Sequence, residues 1–214
     1  MQIDERYVEG AAYHEAAHAV IAAVQGMILR PQGIRIDRVG AGLTVYCHKT
    51  PDGSSNLGRD PERERTIIST AAGFFAHERF YIDANHCRLP ASGASDDLDL
   101  IVALLKEMYS ERRQQDEAQE RLMKDSERLV TSHWKAIELV ATELWAKSWS
   151  RQGALQWSPQ EFEKVMEGAE VASVLATLGI KVTVQPRTDH CALTRRVLRN
   201  LKNGLSRMRR RWRI

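Results

Sequence analysis

From Asp4 to Gln25 the chain reads as one alanine-rich helix with two histidines in its apolar middle. Asp4 suits the N-cap position, and Gly26 stands where a helix-terminating glycine belongs. Ala16, Ala17, Ala19 and Val20 surround His14 and His18, which marks a helix buried on most of its sides. Two unpartnered imidazoles would carry a desolvation cost there, so any fold that buries this helix must give them something to bind. A pair of helix-surface histidines is the plain alternative, and the apolar surroundings weigh against it.

The segment His14-Glu15-Ala16-Ala17-His18 has the form HExxH. Positions i and i+4 of a helix lie one turn apart on one face, so both imidazoles can reach a single cation. Zinc binds imidazole nitrogen at about 2.0–2.1 Å, and a catalytic site keeps three protein ligands with a further position open to water. The ion lowers the pKa of that water to roughly 7, and Glu15, next to the histidine face, is placed to accept its proton. The expected chemistry is hydrolytic, with His14 and His18 as metal ligands and Glu15 as general base. Spacing alone leaves the third ligand open among Asp96, Asp97, Asp99, Glu78 and the remaining histidines. His48, His77, His86, His133 and His190 have no ligand-like spacing and read as structural or surface residues.

The rest of the chain supplies an α+β, mostly helical frame. Gly33 to Val39 and Ala41 to His48 are rich in β-branched residues around Gly40 and Gly42, the pattern of a hairpin or two short neighbouring strands. Pro61 to Tyr81 reads as a helix with Ile67, Ile68, Ala71, Ala72, Phe75 and Ala76 at helical spacing, and another helix starts near Asp96. There Asp96 is expected to cap the helix, and a carboxylate at a helix entrance is well placed for an anionic ligand. Ser110 to Ser126 is almost wholly polar and reads as a connector or an exposed helical turn. Val130, Trp134, Ile137, Ala141 and Leu144 form one buried stripe on the helix that follows. Ser158-Pro159-Gln160-Glu161 has the capping-box form, with Phe162, Val165 and Met166 continuing the helix it opens.

Three segments together resemble the peptidase domain of the FtsH family, the membrane-bound AAA proteases. His14 to Val20 is similar to that family's zinc helix HEAGHAV, with Ala17 in the glycine position. Ser92-Gly93-Ala94-Ser95-Asp96-Asp97-Leu98 resembles its TGASNDL-type segment, which implies Asp97 as third zinc ligand. Ile68 to Gly73 followed by Glu78 is similar to its ISTxxGGRxAEE helix, although Phe74, Phe75 and Arg79 depart from it. The likeness spans about Ala11 to Met166. It implies a zincin-like zinc helix beside a small hairpin or sheet and a C-terminal helical bundle, with Glu78 as a partner of the ligands. It also implies that the strand containing Leu43, Thr44 and Val45 binds extended substrate along its edge.

The division expected is a peptidase domain over residues 1–170, a linker over 171–190 and a basic amphipathic tail helix over 191–214. The implied activity is a zinc-dependent endopeptidase acting on flexible or unfolded polypeptide. The alternative is a non-catalytic zinc-binding interaction or regulatory module, against which an intact Glu15 and an open coordination position argue. The sequence contains no P-loop of the GxxxxGK type followed by Ser or Thr, so a separate ATPase or adaptor is an expected partner. Cys47, Cys87 and Cys191 are widely spaced and read as reduced cytoplasmic thiols. Neither a signal region in Met1 to Gly10 nor a membrane-spanning apolar stretch is present, so the expected location is cytoplasmic, peripheral on a membrane.

That peripheral placement comes from the tail. Residues 186–214 hold ten Lys or Arg against one Asp, so the net charge of +3 resolves into +9 on this end and −6 on residues 1–185. Leu193, Val197, Leu201, Leu205, Met208 and Trp212 recur every three or four residues among the arginines, the pattern of a basic amphipathic helix. An anionic membrane surface or a docking partner fits it better than nucleic acid, because the apolar stripe adds burial to a charge contribution on the order of 1 kcal/mol per residue, and a solvated or disordered tail is the plain alternative. Deleting Thr194 to Ile214 is therefore expected to abolish low-salt binding to anionic vesicles in a sedimentation assay. Binding of the full chain to DNA or RNA but not to vesicles would assign the tail to nucleic acid.

Overall fold

The computed structural model describes residues 5–47, 60–83, 94–151 and 162–186. Helix α1 spans Glu5–Val24 and is the centre of the molecule. Fourteen of its twenty residues are buried, so it has no wet face along most of its length. Gly26, with φ of 75°, closes it as expected, while the Gly26 and Met27 amides bond back to Ala23 and Ala22.

Strands β1 (Ile28–Asp37) and β2 (Gly42–Cys47) follow as an antiparallel hairpin, and β1 starts five residues earlier than the sequence pattern indicated. The Asp37 carboxylate fixes the turn by accepting from the amides of Val39 (2.9 Å) and Ala41 (2.8 Å). The buried residues Leu29, Ile34 and Ile36 stand opposite Tyr46, Thr44 and Gly42. Alternation therefore puts Gly42, Thr44 and Tyr46 on the face of β2 that looks into the protein, with Leu43, Val45 and Cys47 on the other. The sheet runs β2-β1-β4-β3, with β5 also paired to β1, and β2 forms its outer edge among the described strands.

Helix α2 (Asp60–Asp83) lies along α1, in contact with it through Ala72 and Ala76. Its other side meets α3 (Ala94–Met108) and α4 (Arg112–Ser132) in a second core of Ile67, Ala71, Ile101, Leu104, Leu105, Ala118 and Leu122. Helix α5 (Trp134–Ala146) adds Ile137, Val140, Ala141 and Leu144 to the main core around α1.

Several expectations are corrected. The polar stretch from Ser110 is neither a connector nor a single turn, because α4 runs as a regular helix from Arg112. Its buried stripe is one residue wide, Ala118, Leu122, Ser126 and Val130, and half of it is Ala or Ser, which leaves little hydrophobic signal. Arg112–Asp116, Arg113–Glu117 and Glu120–Lys124 pairs at i,i+4 support its wet side. The stripe from Val130 to Leu144 is split between α4 and α5, with the break at His133.

Phe162, Val165 and Met166 do not continue a helix. They belong to β4 (Phe162–Met166), which pairs antiparallel with β1 and with β3 (Ser150–Arg151). Positions 162, 165 and 166 satisfy a helical period, but 162, 164 and 166 also satisfy a strand period. The strand period prevails because Lys164 is buried with its ammonium 4.2 Å from the centre of the Trp145 ring and 5.0 Å from that of Trp149.

The stretch expected as a linker from 171 is also structured. Helix α6 (Gly168–Ala176) opens with a capping box of Glu167 and Glu170, and β5 (Thr183–Val184) pairs parallel with Ile28 and Leu29. The last described part of the chain is thus a strand, a helix and a strand closing on β1, where a helical bundle was expected. The capping box at Ser158 to Glu161, the tail over 191–214, and His48, His86, His190, Cys87 and Cys191 lie outside the described residues.

Candidate metal centre

Helix α1 presents His14 and His18 on one face, and the opposing surface is Gly73 of α2. A Cβ added at Gly73 would stand 2.6 Å from Nε2 of both histidines, so only glycine lets the two helices approach while the imidazoles lie between them. His18 is oriented from the same helix: its Nδ1–H donates to the backbone carbonyl of Ser69 at 2.7 Å. A carbonyl only accepts, so Nδ1 carries a proton and Nε2 is the nitrogen turned towards the other donors. Gln25 steadies this turn of α2 by donating to Ser69 Oγ at 2.8 Å and to the Arg65 carbonyl at 3.2 Å.

Asp97, in the first turn of α3, reaches the same pair. Its Oδ2 lies 3.0 Å from His14 Nε2 and 3.3 Å from His18 Nε2. These three residues form the one group of potential ligands that converges among the described residues, all within 4.8 Å. Donors about 2.0–2.1 Å from a tetrahedral zinc ion stand about 3.3–3.4 Å from one another, so the cluster matches such a site with little adjustment. Two imidazoles and one carboxylate make a donor set suited to zinc, with room for a further, non-protein ligand. The histidine side chains are under a tenth exposed and that of Asp97 is 26% exposed, so the carboxylate edge faces solvent.

The electrostatics fit a charged cluster. Burial opposes ionisation of His18, but the Asp97 carboxylate and then Glu15 and the Ser69 carbonyl outweigh it and hold its pKa up to about 9. Burial likewise opposes ionisation of Asp97, yet the His18 charge and hydrogen bonds from both histidines bring it well below the ordinary carboxylate range. Burial pushes Glu15 up, against the pull of His18, His14 and the Thr44 hydroxyl.

Glu15 is buried beside this group without joining it. Thr44 Oγ1 lies 2.6 Å from Glu15 Oε2, and a Cβ at Gly42 would stand 2.2 Å from Glu15 Oε1. Tyr46, on the same face of β2, bonds Thr70 Oγ1 at 3.2 Å, and burial raises its phenol pKa. Sequence reasoning found none of these supporting contacts. A Gly-x-Thr-x-Tyr alternation starting at Gly42 was its only available trace.

Of the other candidates, Asp96 does not cap α3, which begins two residues earlier at Ala94; it sits exposed in the first turn. Asp99 is exposed, and Glu78 on α2 is half-buried and not one of the converging groups. His77 is buried near His14, ring centres 6.1 Å apart, and burial and then the His14 charge lower its pKa to about 4. No helix among the described residues is long and apolar enough to cross a membrane. No family model matches the chain, and no curated protein sequence matches it.

Two predictions follow from this geometry. Asp97→Ala and Gly73→Ala are each expected to weaken zinc binding at least tenfold in a competition titration, the first by removing a donor and the second by displacing both imidazoles. Asp96→Ala should retain zinc, and loss of zinc in Asp96→Ala alone would move the ligand there. Metal uptake must also displace the Nε2 proton that Asp97 holds on His18. Below the raised pKa of about 9 that proton is bound in the metal-free protein, so affinity should rise about tenfold per unit between pH 7 and pH 9 and then flatten. Calorimetry in buffers of different ionisation enthalpy should register the released proton at pH 7.

Proposed function

We propose that the chain is a zinc-dependent peptidase of the FtsH type, an endopeptidase acting on flexible or unfolded polypeptide. One observation carries the reading: a buried carboxylate, Glu15, is held by its own hydrogen bond next to a converging His14, His18 and Asp97 group rather than within it. A structural metal site needs no such fourth side chain, whereas hydrolysis needs a base beside the ion.

Zinc held by His14 Nε2, His18 Nε2 and Asp97 would supply Lewis acidity and a coordinated water with its pKa lowered to about 7. Glu15 manages the proton. As the water oxygen bonds to the peptide carbonyl carbon, a Glu15 oxygen takes a water proton. As the C–N bond breaks, the same oxygen delivers that proton to the departing nitrogen, so charge and protons balance. The raised pKa of Glu15 favours the uptake of the water proton by making the protonated carboxyl a bearable intermediate state.

The substrate would lie extended along the outer edge of β2, beside Leu43, Thr44 and Val45, where main-chain hydrogen bonds require no particular sequence. Such a mode accepts segments already free of structure. Folded substrates would need a separate ATPase or adaptor to open them.

Hydrolysis of casein or a fluorogenic peptide by zinc-loaded protein tests the reading. Glu15→Gln should bind zinc with unchanged stoichiometry and lose hydrolysis by at least 100-fold, because the amide cannot take the water proton at neutral pH. Equal activity in Glu15→Gln would refute the assigned base. Zinc binding by a wild type that cleaves nothing would leave a non-catalytic zinc module.

A further inference from the structure

The inward face of β2 meets Glu15 at two successive positions. At Thr44, the hydroxyl oxygen is 2.6 Å from Glu15 Oε2 and 2.9 Å from the Glu15 carbonyl oxygen. One hydroxyl hydrogen serves one strong bond, and the carboxylate is both the nearer and the stronger acceptor. At Gly42, an added Cβ would fall 2.2, 2.4 and 2.5 Å from Glu15 Oε1, Cγ and Cδ, so the end of the side chain lies directly against the strand backbone. One carboxylate oxygen is therefore fixed by a hydrogen bond and the other by contact with a bare backbone. A glutamate has three side-chain torsions, and a helix alone does not choose among the rotamers that they allow.

We infer that Thr44 is a positioning residue: its hydroxyl holds the Glu15 carboxylate in the orientation from which it exchanges a proton, and Gly42 provides the clearance. This rests on the peptidase reading for its consequence in turnover, but the Thr44–Glu15 link itself does not. The same strand that forms the outer edge among the described strands thus also aims the base from its inner face. Misplacement of a reacting group by about 1 Å can cost on the order of 100-fold in rate, which sets the scale of the expected effect.

The test compares Thr44→Val, which keeps the shape and removes the hydroxyl, with Thr44→Ser, which keeps the hydroxyl, both as full-length zinc-loaded protein. Thr44→Val should lower kcat about 10- to 100-fold with KM and zinc stoichiometry near wild type, and Thr44→Ser should recover kcat to within about threefold. Equal loss in Thr44→Ser and Thr44→Val, or a loss confined to KM, would overturn the assignment. A second readout needs no activity: the melting-temperature effect of Thr44→Val should shrink in a Glu15→Ala background, where the hydroxyl has no carboxylate to hold. Additive shifts there would overturn the link even if wild type proves inactive, whereas an inactive wild type with a non-additive cycle would count against the peptidase reading alone.

Discussion

The close approach of α1 and α2 at Gly73 is the contact on which the rest of the arrangement depends. Two imidazoles occupy the space that a side chain would fill, and they are buried with His14 7% and His18 6% exposed. Groups of this kind stay buried only if each polar atom finds a partner. The Ser69 carbonyl meets one side of His18, and the Asp97 carboxylate meets Nε2 of both rings. Separating the helices by one methyl group would break both the packing and the convergence.

Around that contact the sheet and the outer helices have distinct tasks. Strands β1 and β2 cover α1 with Leu29, Ile34 and Ile36 and bring the hydroxyl of Thr44 to Glu15. Helices α3 and α4 grip the far side of α2 through a separate core, which fixes where the first turn of α3 stands. Asp97 is therefore positioned by packing at Ile101, Leu104 and Leu105, further along the same helix. A carboxylate in a first helical turn also interacts favourably with the amide ends there, which suits an anionic ligand at that place.

How much of this could be read beforehand depended on the range of each interaction. The pairing of His14 with His18 was legible because a four-residue spacing on a helix is a local rule. Helices α1, α2 and α3 and the β1–β2 hairpin were legible for the same reason. Helix α4 was misread because its buried stripe is thin and partly Ala and Ser, and β4 because Phe162 and Met166 fit both periods. Lys164 resolves that ambiguity only once its ammonium is packed over the rings of Trp145 and Trp149.

By itself, then, the sequence determined the histidine pair, the intervening glutamate and the burial of the helix that carries them. It left Asp96, Asp97, Asp99 and Glu78 open on spacing, and only the resemblance to the FtsH family favoured Asp97. Tertiary structure alone decided that Asp97, 83 residues from His14, reaches both rings, that the Ser69 carbonyl orients the ring of His18, and that Thr44 faces Glu15. The physical reason is that helical and strand periods act over a few residues. A candidate ligand set drawn from two helices, and a glutamate oriented by a strand, depend on how those elements pack.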